Sequence, residues 1–182
     1  MTSDYMAFFA RELASSARAV ARFNFPYMQA GRKSPGPQAV SEEAFAEVVE
    51  HLRAELSPSK LFLGGKSYGG RIASHIVATG TQCDGLVFLG YPLHAPGRPD
   101  RIRDAHLEDV SCPMLFVEGT RDPFCPLDTL ADVRRKIKTP TSLVIVDDGD
   151  HSLKVPKSSG RSTLEAWSQA VADISEWLAD PH

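Results

Sequence analysis

Cysteine is scarce in this chain of 182 residues. Three occur, at positions 83, 112 and 125, an odd number with no C-x-x-C spacing. That argues against a disulfide framework and against a zinc knuckle, and it favours a reducing compartment. No apolar run approaches the roughly 18 residues of a membrane span. Neither charge dominates: the net charge is −3, so no overall field draws the protein to nucleic acid or to an anionic membrane. Composition leaves a local basic patch open. The start, MTSDYMAFFAREL, carries Asp4 and no basic segment, so it does not read as a secretory leader. The expected address is the cytoplasm. No repeat and no low-complexity tract is visible.

What is present suits a globular fold. Apolar residues make up 42% and charged residues 24%, too much apolar surface for a dominantly disordered chain. A chain of this length buries roughly 70% of the surface that it exposes when unfolded, so it folds without a staple. One domain over residues 1–182 is expected.

Apolar runs alternate with amphipathic segments. Tyr5, Phe8, Phe9 and Leu13 share one face of a first helix, drawn from Asp4 to Ala17. Val20–Phe25 is short and aromatic and predicts a strand, stopped by Pro26. Ser41 is placed to cap the next helix, whose stripe is Phe45, Val48, Val49, Leu52 and Leu56, with Pro58 at its end. Strands are expected at 60–63, 85–89, 114–117 and 142–146. Helices are expected from Ser67 to about Thr79, stopped by Gly80, and from Pro126 along Leu127, Leu130, Val133 and Ile137. Ser162-Thr-Leu-Glu165 is a capping box that opens the last helix. The strands are continuous apolar runs, as in a parallel sheet covered on both faces. The fold class is therefore α/β: a doubly wound, mainly parallel sheet of about five strands with helices on both faces. Residues 91–111 form a short lid-like excursion rich in Pro, Arg and Asp.

Three motifs follow strands and converge on one sheet edge. They are Gly65-x-Ser67-x-Gly69, Thr120-Arg-Asp122 and Asp150-His151. A G-x-S-x-G between strand and helix is a nucleophile elbow. Ser67 is then the nucleophile, His151 the general base and Asp122 its orienting acid, with the Tyr68 N–H as an oxyanion donor. Alone, G-x-S-x-G is a weak signal; the strand–turn–helix setting and the order Ser, Asp, His strengthen it.

Competing readings are weaker. Gly65-Lys66-Ser67 could end a phosphate loop, but the glycine needed five residues earlier is replaced by Lys60. Asp122-Pro123 alone would read as a turn. Asp147, Asp148 and Asp150 are rival acids, but they share one loop with His151. No second ligand cluster joins them to make a metal site, and no cofactor is implied. A dehydrogenase-like reading fails because no G-x-G-x-x-G follows the first strand. His51 and His75 read as surface or satisfied helix positions, His94 and His106 as solvated loop positions, and His182 as terminal. Cys125 reads as ordinary packing at a helix start. Arg134–Lys138 reads as a solvated helix end, without the aromatic interleaving of a nucleic-acid patch.

Five stretches carry a family resemblance. ARFNFPYM (21–28), LGGKSYGGRIAS (63–74), LGYPLHAPGRPDRIR (89–103), LFVEGTRDPF (115–124) and DGDHSLKVP (148–156) resemble a compact branch of the α/β-hydrolase superfamily. That branch is named after a subunit of the nonspecific-lethal chromatin complex and a testis-expressed protein, and it looks related to the dienelactone hydrolases. The resemblance spans nearly the whole chain. It implies the minimal α/β-hydrolase fold and the roles just given to Ser67, Asp122 and His151. Members usually carry, before the first helix, a strand ending in a His-Gly-Ala-Gly-like loop that supplies a second oxyanion donor. Here only Met1, Thr2 and Ser3 precede that helix. An upstream start is the expectation; otherwise the N–H of Thr2 or Ser3 is the substitute. Loss of one donor typically costs about 10²–10³ in rate.

The expected partner is a small-molecule acyl substrate in an open, shallow site, an ester, thioester or relative. Neither nucleic acid nor membrane is expected. An exposed sheet edge is compatible with a homodimer. The rival function is a non-catalytic interaction domain on the same fold, which the chromatin-complex relative suggests.

Overall fold

The computed structural model describes residues 4–15 and 17–181. Four parallel strands form one sheet in the order β1-β2-β3-β4: β1 Phe62–Lys66, β2 Gly85–Leu89, β3 Met114–Gly119 and β4 Thr141–Val146. The register pairs Gly65 with Phe88, Phe88 with Phe116, and Phe116 with Leu143. Among the described residues six α-helices surround it: α1 Asp4–Leu13, α2 Pro26–Gln29, α3 Gln38–Leu56, α4 Tyr68–Ala78, α5 Leu127–Arg134 and α6 Thr163–Ala179.

The sheet separates two cores because side chains alternate across a strand. Leu86, Phe88, Met114 and Phe116 face Phe45, Val49, Ile72, Ile76, Leu130 and Val133 of α3, α4 and α5. Leu89, Leu115, Val117 and Val146 face the other way, onto Phe8 and Phe9 of α1 and Ala170, Ile174 and Trp177 of α6. With both faces covered, β2 and residues 114–117 of β3 are apolar throughout. Each fully buried Leu or Phe contributes roughly 1.5–3 kcal/mol. Phe88 and Phe116 have no exposed surface, so the central strands β2 and β3 are firmly held, and β3 leads to Asp122.

The helix ends explain themselves. Ser162 accepts the Glu165 N–H while the Glu165 carboxylate accepts the Ser162 N–H, the reciprocal cap that opens α6. Ser57 turns left-handed at φ 42° and closes α3 just before Pro58. Gly80, at φ +119°, stands just past α4.

The structure corrects four sequence expectations. Val20–Phe25 is not a fifth strand; it runs without a ladder partner among the described residues. Its aromatic side chains find helices instead: Phe23 and Phe25 pack on Phe45 of α3, and Phe25 on Tyr68 of α4. Ser41 does not cap α3, which starts at Gln38 behind Pro37. Ser41 is buried in its first turn and accepts a hydrogen bond from the Tyr68 hydroxyl. α1 ends at Leu13 rather than at Ala17, because a Ser15–Arg18 bridge turns the chain. α5 ends at Arg134, short of Ile137. The 91–111 excursion is irregular as expected, apart from one 3₁₀ turn, Ala105–Asp109. Met1, Thr2, Ser3 and His182, and with them the substitute oxyanion donors, lie outside the described residues.

Candidate active site

In a parallel sheet all strand C-termini lie on one edge. The chain leaving β1, β3 and β4 at that edge carries Ser67, Asp122 and His151 respectively. Ser67 occupies the single residue between β1 and α4, at φ 52° and ψ −118°. A non-glycine residue there is strained by about 1–3 kcal/mol, and such strain persists only where the surroundings enforce it. They do so here. The Ser67 N–H donates to the Leu89 carbonyl at 3.1 Å, and the Arg71 N–H donates to the Ser67 carbonyl at 3.1 Å. The turn also needs bare backbone: a Cβ on Gly70 would meet the Gly65 carbonyl oxygen at 2.7 Å. That close approach is why this turn carries glycine on both sides of the serine.

Asp122 turns back on β3, its N–H donating to the Gly119 carbonyl at 3.1 Å. Its carboxylate has no exposed surface. One oxygen accepts the Phe124 N–H at 2.8 Å; the other stands 2.7 Å from His151 Nδ1. His151 Nε2 stands 2.8 Å from Ser67 Oγ. A carboxylate only accepts, so Nδ1 is the donor toward Asp122 and Nε2 of the neutral ring is free to accept from the hydroxyl. The Phe124 ring lies edge-on to the imidazole, 4.7 Å between centroids. The three side chains thus form one hydrogen-bonded line that can take a proton from Ser67 and hold the resulting positive charge.

The Tyr68 N–H is the first of α4, where helical geometry leaves a donor without an intrahelical partner and the dipole favours negative charge. It follows Ser67 directly in the chain. The Tyr68 ring is clamped against Phe25 and Tyr27.

The rival acids have other roles. Asp150 Oδ1 accepts the N–H groups of Ser152 and Lys154 at 2.7 and 3.0 Å, shaping the loop that presents His151. Asp147 and Asp148 are exposed. Among the described residues no group of three or more His, Cys, Asp or Glu side chains is arranged to hold a metal ion. A cavity of about 610 Å³ is lined by Asp4, Tyr5, Lys66, Ser152, Lys154 and Trp167; Lys66 and Ser152 are the chain neighbours of Ser67 and His151. Burial holds the Lys66 ammonium below its ordinary pKa, against the pull of Asp122 and Asp150.

His94 and His106 are not solvated, contrary to expectation. His94 is buried and sits 3.0 Å from both the Ala95 and the Pro123 carbonyl oxygens, tying the excursion to the Asp122 loop. His106 Nε2 stands 2.8 Å from Ser74 Oγ and 3.2 Å from the Tyr91 hydroxyl. Its ring stacks on His75 at 3.6 Å. These contacts pin the excursion to α4. His51 is exposed, and Cys125 is packed and buried, as the sequence suggests.

Sequence reasoning missed Glu118, a carboxyl at the end of β3 with no exposed surface. One of its oxygens accepts the Tyr91 N–H at 2.7 Å. Burial raises its pKa well above the ordinary carboxylate value. The signal was there: an acid continuing the apolar run Met114–Val117.

A family model described as "Alpha/beta hydrolase domain" matches residues 1–179. The chain belongs to the alpha/beta hydrolase domain family. Solved structures agree with this hydrolase fold. An esterase domain from Rhodothermus marinus superposes with TM-score 0.68 at 16% identity, covering 95% of this chain and 79% of that one. A dienelactone hydrolase from Anabaena variabilis gives 0.67 at 20% identity, covering 98% and 79%. An α/β serine hydrolase without lid from Xanthomonas campestris gives 0.64 at 18% identity, covering 97% and 75%. At these identities the likeness speaks for the fold.

Proposed function

We propose that this α/β hydrolase is a serine hydrolase acting on a small ester, thioester or related acyl substrate. The observation that carries this reading is the contact of 2.8 Å between Ser67 Oγ and His151 Nε2, made by a serine at φ 52°. Ser67 attacks the acyl carbonyl while His151 takes its proton. Asp122 orients the ring and stabilises its cation. The Tyr68 N–H faces the charge that develops on the carbonyl oxygen. His151 then gives its proton to the leaving group, and an acyl-Ser67 remains. Water, deprotonated by His151, attacks that ester, and Ser67 recovers its proton as the acid departs. No cofactor enters.

Substrate size follows from the short excursion over residues 91–111. With so little chain to cover the sheet edge, the site suits a small or extended acyl group. The neighbouring dienelactone hydrolase and esterase domain lend the same direction to the proposal, as do the five motifs shared with the compact hydrolase-like branch. A cytoplasmic, reducing setting fits the three free thiols. No helix among the described residues is long and apolar enough to cross a membrane.

The test is hydrolysis of p-nitrophenyl acetate by the wild-type chain and by Ser67→Ala, both checked for folding. Activity that disappears with Ser67 supports the proposal. Folded wild-type protein without activity above Ser67→Ala overturns it and favours the interaction-domain alternative.

A further inference from the structure

Cys83 and Cys112 lie 29 positions apart in the chain, yet their sulfurs stand 3.4 Å from each other. The parallel register brings them together. Cys83 precedes β2 and Cys112 precedes β3, and Leu86 pairs with Met114 just inside both strands. The two thiols therefore lie at the N-terminal edge of the sheet, opposite the edge that carries Ser67.

The backbone on either side is fixed. The Asp84 N–H donates to the Leu61 carbonyl at 2.7 Å, and its carboxylate accepts the Leu61 N–H at 2.6 Å. The Arg53 guanidinium donates to the Gln82 carbonyl. The Pro113 carbonyl accepts the Leu86 N–H at 2.9 Å. Backbone held this way keeps the two sulfurs adjacent, and a disulfide of about 2.05 Å asks them to close from 3.4 Å.

The two thiols differ in access and in acidity. Cys83 is partly exposed and Cys112 is buried. The hydrogen bond with Cys112 holds the Cys83 thiol below its ordinary pKa against the opposing effect of burial, helped by the Gly85 N–H and the Arg53 guanidinium. The same hydrogen bond, with burial, pushes the Cys112 thiol up. An accessible, more acidic thiol beside a buried partner is the arrangement of an attacking and a resolving cysteine.

We propose that Cys83 and Cys112 form a reversible disulfide, a redox modification site at the sheet edge opposite the candidate active site. The co-reactant is a low-molecular-weight disulfide. Cys83 thiolate attacks one of its sulfurs and expels one thiolate, leaving a mixed disulfide on Cys83. Cys112 loses its proton to that thiolate and attacks Cys83 Sγ, expelling a second small thiolate, which takes up the proton that Cys83 released to solvent. The protein gives up two electrons, and the small disulfide takes them as two thiols. The bond closes the segment from 83 to 112, which contains β2 and the whole excursion.

The experiment treats the folded, reduced chain with oxidised glutathione, then maps its peptides by mass. The expected product has lost about 2 Da and carries a Cys83–Cys112 cross-link, with Cys125 still free to alkylate after denaturation. Its thermal midpoint rises by about 5 °C or more, and dithiothreitol reverses both changes. Cys112→Ser should stop at the mixed disulfide on Cys83. A wild-type chain that stops there with Cys112 still alkylatable overturns the proposal. So does a chain in which all three thiols stay reduced, or a cross-link that uses Cys125. The wild-type peptide map decides the matter even if the Cys112→Ser chain does not fold.

Discussion

Gly90 and His151 touch so closely that position 90 admits no side chain. A Cβ on Gly90 would lie 2.9 Å from the His151 carbonyl oxygen and 3.2 Å from its Nδ1. Gly90 also holds φ +69°, which L side chains rarely adopt. The residue that follows β2 thus sets where the imidazole stands between Asp122 and Ser67.

Gly90→Ala should therefore act on catalysis more than on binding. The ring must shift to admit the methyl group, and a misplacement approaching 1 Å costs about 10²-fold in turnover. We expect kcat for p-nitrophenyl acetate to fall by about that factor with KM little changed. A Gly90→Ala chain with wild-type kcat would mean that the ring does not depend on this contact.

Asp122→Asn keeps the volume and the acceptor for the Phe124 N–H but removes the charge facing His151 Nδ1. The amide can present its N–H₂ to Nδ1, which turns the lone pair away from Ser67. Turnover should fall by about 10⁴-fold, with the thermal midpoint changed far less. Asp150→Asn, by contrast, should leave turnover within about 10-fold, because Asp150 shapes the loop without touching the ring.

Glu118 gives a pH-dependent prediction with a definite sign. Its folded pKa is raised by burial, so its favourable contribution is complete below the unfolded carboxyl pKa. It is lost as pH rises toward the folded value. Glu118→Gln mimics the protonated form and still offers an oxygen to the Tyr91 N–H. The variant should match wild-type stability near pH 4 and exceed it near pH 8 in thermal melts. Glu118→Ala orphans that N–H and should lose about 1–3 kcal/mol at both pH values.

His106 predicts the opposite slope. Its pKa is pushed down to about 3, chiefly by burial, with the charges of His75 and Arg71 adding to it. The unfolded imidazole takes up a proton near its ordinary value while the folded one does not, so stability falls as pH drops from about 6.5 toward 3. His75 is lowered in the same direction, first by burial. Thermal midpoints measured from pH 7.5 to pH 4 should fall more steeply for wild type than for His106→Gln. Equal slopes would contradict this reading.

The parts of the site that were legible in the sequence are those that follow directly from strand ends. Ser67, Asp122 and His151 each come shortly after an apolar run, and a parallel sheet brings such positions to one edge whatever else happens. The capping box at Ser162 is local and could be read locally. What escaped depends on contacts between distant segments. Val20–Phe25 has strand composition, but its rings are satisfied by α3 and α4, so composition alone misleads. His94 and His106 sit in a polar segment, and only the packing of that segment on Ser74, Tyr91 and Pro123 buries the first and half-buries the second. Cys83 and Cys112 become neighbours through the β2–β3 register, which no spacing in the sequence encodes.

The proposed function stands on Ser67 acting as a nucleophile activated by His151. The most direct test is to treat the folded chain with a fluorophosphonate and locate the adduct by peptide mass mapping. One adduct is expected, on Ser67, absent from Ser67→Ala and strongly slowed in His151→Ala and Asp122→Asn. A folded wild-type chain that takes up no probe, or that carries it on another residue, would contradict it.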